Sequence, residues 1–205
     1  MTYEINALLE AIVAAVAVDG PFSQRMSRVI DECERQHPHR DWYLMRELDF
    51  QADDEAVETW LPRTFKVVSP DESFQGLWFG LNNPVRRGKV TADIYVGAAE
   101  VYSPESIEWA AECSFLPESG YLKSKVLDAI YRPAYDRDGG LENEAEFPLV
   151  LAYGAMLARA ATAKLALEGA LRHLRGAACG FDSGDSLTLG TFGRAGFKTE
   201  VAIAE

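Results

Sequence analysis

Gln75-Gly76-Leu77-Trp78-Phe79-Gly80-Leu81, Asn82-Asn83-Pro84-Val85-Arg86-Arg87-Gly88 and Lys89-Val90-Thr91-Ala92-Asp93-Ile94-Tyr95-Val96-Gly97-Ala98 form the stretch that decides the fold. The first piece is apolar on both faces, as a strand inside a sheet must be. The second carries two asparagines, a proline and a glycine, which is turn chemistry. In the third, Val90, Ala92, Ile94, Val96 and Ala98 recur at every second position, the period of a strand. The stretch predicts a β-hairpin whose tip is basic through Arg86, Arg87 and Lys89.

Working outward, Ile107, Trp109, Ala111, Cys113 and Phe115 alternate with Glu108, Ala110, Glu112 and Ser114, which predicts a third strand with one wet face. Ser103-Pro104-Glu105 is a competing helix-start signature. Gly180-Phe181-Asp182-Ser183-Gly184 reads as a turn into a strand from Ser186 to Phe192, followed by a last strand near Phe197 to Ile203. Asp41 to Phe50 reads as a strand through Trp42, Leu44, Leu48 and Phe50, although Leu44, Met45 and Leu48 would also suit a helix.

Helical spacing dominates both ends. Ile5, Leu8, Leu9, Ile12, Val13 and Val16 share one face, and Asp19-Gly20-Pro21 ends that helix. A second helix carries Phe22, Met26, Val29, Ile30 and Cys33 as far as His37-Pro38. A short one runs from Asp53 to Leu61, with acids in its first turn and Pro62 closing it. Gly120 to Tyr135 returns to helical spacing through Leu122, Val126, Leu127, Ile130 and Tyr131, and Asp136 to Glu146 reads as a surface loop. The longest helix, rich in alanine, is expected from Leu149 through Leu174 and includes Glu168 and Ala170. No repeat or linker divides the chain. The expectation is one α+β domain over residues 1–205, a mainly antiparallel sheet of about five or more strands covered by N-terminal and C-terminal helices.

The net charge of -12 is unevenly placed. Residues 41–72 hold nine acids against three bases, and residues 100–118 hold Glu100, Glu105, Glu108, Glu112 and Glu118 with no base. Asp136, Asp138, Glu142, Glu144 and Glu146 follow, against Arg137 alone. Such a field repels nucleic acid and anionic lipid and steers basic proteins toward the acidic surface. It also keeps a cytosolic protein of bacterial type soluble. Cys33, Cys113 and Cys179 are odd in number and far apart, which reads as a reduced, cytoplasmic protein. The N-terminus lacks a basic leader, and the apolar run from Phe147 to Ala158 is too short to span a bilayer.

No complete catalytic set is visible. Gly184-Asp185-Ser186-Leu187 resembles the signature of the GDSL esterases and lipases, which implies a nucleophilic serine near the N-terminus served by a downstream Asp and His. Here the string lies in the last tenth of the chain and no histidine follows it, so Ser186 is expected to be structural. Tyr121 and Lys125 have the Tyr-x-x-x-Lys spacing that resembles short-chain dehydrogenases, but no Gly-rich phosphate loop precedes them. Cys33, His37 and His39 beside Asp41 include suitable zinc ligands, yet the cysteine falls on an apolar helix face. Asp136-Arg137-Asp138-Gly139-Gly140 opens like a calcium loop and departs from one at Gly140, Leu141 and Phe147.

The residues thus favour binding over chemistry, with no metal or cofactor implied. The specific expectation is an immunity-type inhibitor that neutralises a basic toxin or nuclease through an acidic docking surface. Its expected contributors are Asp53, Asp54, Glu55 and Glu58, then Glu108 and Glu112, then Asp136, Asp138 and Glu142. The alternatives are a small hydrolase-like enzyme with a carboxylate site, and a homodimeric interaction module joined through the Ala-rich helix.

Overall fold

The computed structural model describes residues 4–86, 88–136, 138–167, 171–182 and 184–204. Helices α1 (Ile5–Ala17), α2 (Phe22–Gln36), α3 (Trp42–Arg46) and α4 (Asp54–Val67) come first. Strand β1 (Gly76–Asn82) and strand β4 (Asp93–Ala99) then pair antiparallel from Gly76↔Ala99 to Asn82↔Asp93, with the small ribbon β2 (Val85–Arg86) and β3 (Lys89–Val90) between them. After β5 (Tyr121–Leu122) come α5 (Lys125–Tyr135) and α6 (Asn143–Leu167), and β6 (Gly176–Phe181), β7 (Ser186–Gly193) and β8 (Gly196–Ile203) close the chain. The main sheet has six strands in the order β5-β4-β1-β6-β7-β8, all neighbours antiparallel except β1 and β6. This is the expected α+β fold with a mostly antiparallel sheet.

Helix α6 explains why the fold is built around one core. Leu149 to Ala158 are buried on every side of it, because α1, α2, α4 and α5 surround it and the sheet lies beneath. By length and composition alone α6 could cross a membrane, but 78% of its most apolar window is buried inside the fold. Among the described residues its alanines are buried or half-buried against the neighbouring elements. Leu77, Phe79 and Leu81 of β1, Ile94, Val96 and Ala98 of β4, and Ala177 and Cys179 of β6 face this core. Two guanidinium groups tie α1 into it. Arg25 donates to the carbonyls of Ala15 (2.8 Å) and Val16 (3.1 Å), and Arg159 to those of Val16 (2.6 Å) and Val18 (3.0 Å), and also to the Asp19 carboxylate. Cations on the last carbonyls of a helix satisfy its orphan acceptors and its dipole together.

Several elements differ from expectation. Residues 42–46 are helical, because Trp42 and Met45, three apart, are the side chains that reach the core. Helix α4 runs through Pro62 to Val67. The long helix is described as far as Leu167, residues 168–170 lie outside the described residues, and Leu171, at φ 56°, is outside helical geometry. The expected third strand is a 3-10 helix, Glu108–Glu112, with Phe115 making an isolated bridge to Ala98. Strand β6 was not expected at all.

Candidate functional site

Two strands share a spacing. Gly76 and Gly80 in β1, and Gly176 and Gly180 in β6, are each four apart and lie opposite one another across the parallel pair, Gly76↔Gly176 and Gly80↔Gly180. Side chains alternate along a strand, so all four glycines open toward the face away from α6. That face is floored by backbone and roofed by rings. A Cβ on Gly76 would lie 2.6 Å from the Trp109 ring, a Cβ on Gly176 would overlap Tyr102, and one on Gly80 would overlap Tyr95. Trp78, Ala99, Trp109 and Ala178 form a second buried cluster here, with Tyr102 and Trp109 edge to face at 5.3 Å. Glycine permits this close approach, as no other residue would.

Beyond the rings the same face opens into a cavity of about 420 Å³, within the usual range for ligand sites. Trp78, Ile107, Ala110, Leu116 and Phe181 supply apolar wall, and Tyr95, Glu108, Cys113, Asp182 and Ser186 supply its polar groups. The Trp78 indole N–H donates to Tyr95 Oη (3.3 Å), and the Tyr95 hydroxyl donates to Asp182 Oδ1 (2.7 Å). Burial and then the bond to Asp182 hold the Tyr95 phenol well above its ordinary range, so it remains a donor. Burial, with the Asp182 charge second, pushes the Cys113 thiol up to about 12. Ser186 opens β7 opposite Gly180 and is 5% exposed, and its hydroxyl has no hydrogen-bond partner among the described residues. Among the described residues, no lysine, arginine or histidine lines the cavity.

Thiolate is the reactive form of cysteine, so Cys113 is expected to resist alkylation. In iodoacetamide labelling at pH 8, Cys113 in the native protein should react at least about a hundred-fold more slowly than in the urea-unfolded chain. Comparable rates would show that its thiol is not held protonated.

A larger hollow of about 580 Å³ is bounded by Leu167, Arg172, Phe192 and Arg194. Leu167 and Arg172 stand on either side of residues 168–171, of which 168–170 lie outside the described residues. A third, of about 310 Å³, lies between Phe22 and α4, where Asp54 and Glu58 line it.

The expected docking acids separate into groups. Glu108 and Glu112 are exposed on the 3-10 helix, and Glu108 stands at the cavity. Asp54 and Glu55 are exposed in the first turn of α4, and Glu58 there pairs with Lys164 at 2.6 Å. Because α4 packs on the α6 side of the sheet, these acids do not join Glu108 and Glu112 in one surface. Asp136, Asp138 and Glu142 are exposed in the connection between α5 and α6. Asp53 leaves the set. It is 3% exposed, and its carboxylate accepts from Ser124 Oγ, from the Lys125 (2.9 Å) and Val126 (3.3 Å) amides, and from Tyr153 Oη (3.3 Å).

Comparison with protein-family models, with curated proteins and with solved structures finds no match. The chemistry must therefore be read from the residues alone. Ser186 begins an antiparallel strand rather than ending one at a sharp turn into a helix, and among the described residues no histidine shares its cavity. Cys33 is buried on α2, while His39 bridges the Asp41 amide (3.1 Å) and the Gly139 carbonyl (3.0 Å). Among the described residues, no three His, Cys, Asp or Glu side chains are grouped as metal ligands. At the basic tip, Arg86 pairs with Asp93, while Arg87 and the side chain of Lys89 lie outside what is described.

Sequence reasoning singled out Glu108 and Ser186 but not Trp78, Tyr95, Cys113 or Asp182. The signal that could have found them was the repeated Gly-x-x-x-Gly, in Gly76-Leu-Trp-Phe-Gly80 and Gly176-Ala-Ala-Cys-Gly180.

Proposed function

We propose that the protein is a non-catalytic acidic binding protein, and more narrowly an immunity-type inhibitor that neutralises a basic toxin or nuclease by docking onto it. The observation that carries this reading is the union of exposed carboxylates with a cavity: Glu108 and Glu112 on the 3-10 helix beside a hollow whose charged groups, Glu108 and Asp182, are acids. Carboxylates at the mouth of an apolar recess attract a basic surface from a distance and then offer it a place to bury apolar area.

The test is association kinetics with basic proteins captured from the native host. Between about 0.05 and 0.5 M salt the on-rate should fall about tenfold or more, because screening shortens to a few ångströms, while dissociation changes much less. Charge reversal of Glu108 and Glu112 together should slow association in the same way, and reversal of Asp54 and Glu55 on the far side of the sheet should have a smaller effect. Asp53 is left unchanged in both variants, since reversing it would disturb the fold. A basic partner whose on-rate ignores both salt and the Glu108/Glu112 reversal would defeat the reading.

A further inference from the structure

The cavity holds an unmet polar group at a defined place. Tyr95, Gly80, Gly180 and Ser186 form one transverse row across β4, β1, β6 and β7, each paired with the next. Paired residues present their side chains on the same face. Ser186 therefore points to the side where Trp78 and Tyr95 stand, and a Cβ on Gly180 would overlap its side chain. Tyr95 in the same row has both its hydrogen bonds, to Trp78 and to Asp182. The Ser186 hydroxyl, one-twentieth exposed, has none among the described residues. A buried hydroxyl without a partner is a standing penalty that a donor arriving in the cavity would remove.

We infer that this cavity seats one arginine side chain of the basic partner, with the guanidinium bound by Asp182 and Ser186 Oγ and the methylene stem against Ile107, Ala110 and Leu116. The inference rests on the docking reading above and deepens it. The occupant must supply donors, because the Asp182 carboxylate only accepts, and the Ser186 hydroxyl has lone pairs free to accept as well. It must tolerate a negative field, because Glu108 and Asp182 are the charged lining groups. It must have an apolar stem, because most of the wall is aliphatic or aromatic. Guanidinium combines these properties and adds planarity, with which it lies against a ring such as Trp78 and forks onto a carboxylate. Ammonium is a point charge, more strongly hydrated, and uses a flat recess less well.

The test uses the intact protein and n-butylguanidinium, with n-butylammonium, n-butanol and pentanoate as comparisons. Of the four tryptophans, three have indole N–H groups whose hydrogen bonds separate the cavity from the rest of the fold, and these three report by NMR. That of Trp78 bonds Tyr95 in the cavity wall, while those of Trp42 and Trp60 bond the carbonyls of His37 and Gly120 elsewhere. Butylguanidinium should shift the Trp78 signal saturably and leave the other two in place. Its affinity should exceed those of butylammonium and butanol by about fivefold or more, as a charge-assisted pair implies, and pentanoate should not bind. Asp182→Asn should weaken it about tenfold. Ser186→Ala should weaken it about fivefold without lowering thermal stability, since it removes an unsatisfied group from the free protein.

Equal binding of butanol, equal binding of butylammonium, no Trp78 shift, or an unaltered affinity in Ser186→Ala would each overturn the arginine seat. The two proposals fail separately. If a basic partner shows salt-dependent association but leaves Asp182→Asn and Ser186→Ala at wild-type rates, docking stands and the seat falls. If butylguanidinium binds as described and no basic protein shows salt-dependent association, the guanidinium site stands, and the docking reading falls together with the assignment of that site to a basic partner.

Discussion

Asp53→Ala is expected to destabilise the protein by about 3–5 kcal/mol. Asp53 precedes α4, yet its side chain makes no cap to that helix. Its carboxylate instead turns to the start of α5, where Ser124 Oγ and the Lys125 and Val126 amides donate to it, and Tyr153 of α6 donates from the third side. Ser124 then accepts from the Leu127 amide at 2.9 Å, completing the cap. One buried anion thus serves the orphan N–H groups and positive end of a helix distant in sequence. Alanine would strand those donors in the interior. Urea unfolding measures the loss, and Asp54→Ala, on the exposed neighbour, should stay within about 0.5 kcal/mol of wild type. A loss below about 1 kcal/mol for Asp53→Ala would mean that water replaces the carboxylate without penalty.

Gly190→Ala is expected to cost about 3–4 kcal/mol, from two sources that a comparison can separate. Gly190 sits at φ 148° beside the register shift between β7 and β8, and a Cβ there would overlap the Lys198 carbonyl and come within 2.9 Å of the Phe197 ring. Backbone cannot swing aside as a side-chain tip can. Gly184 has a similar φ of 135° with open space where a Cβ would go, so Gly184→Ala carries the backbone strain alone. It should lose about 1–2 kcal/mol. Equal losses in the two variants would remove the clash from the account.

What the sequence made legible followed the strength of its periodicity. The β1–β4 hairpin was announced by an apolar run, turn residues and an alternating strand, and in α1, α2 and β8 burial follows the period of the sequence. Trp109 misled for a physical reason. A helix at 108–112 leaves it without apolar neighbours on its own element, but Gly76 gives its ring a flat seat on the sheet, so none are needed. Strand β6 was invisible because Gly-Ala-Ala-Cys-Gly has low strand propensity. It is a strand because both its faces are covered at such short range that only small residues fit. The cavity was illegible for the same reason: its residues come from β1, β4, the 3-10 helix and the β6–β7 turn, which only the sheet order brings together. Asp53 looked like one acid among four until its neighbours in space were known.

The parallel pairing of β1 with β6 also bears on how the chain comes off the ribosome. Gly76 meets Gly176, so the centre of the sheet joins segments 100 positions apart. At usual elongation rates about 5–20 s pass between their syntheses. During that interval β1 can already pair with β4, but its other edge, carrying Trp78 and Phe79, has nothing to pair with. An apolar strand edge left open is a template for intermolecular pairing. The vulnerable species is therefore the nascent chain that has passed β4 and not yet reached β6, and chaperone demand should be greatest over that length.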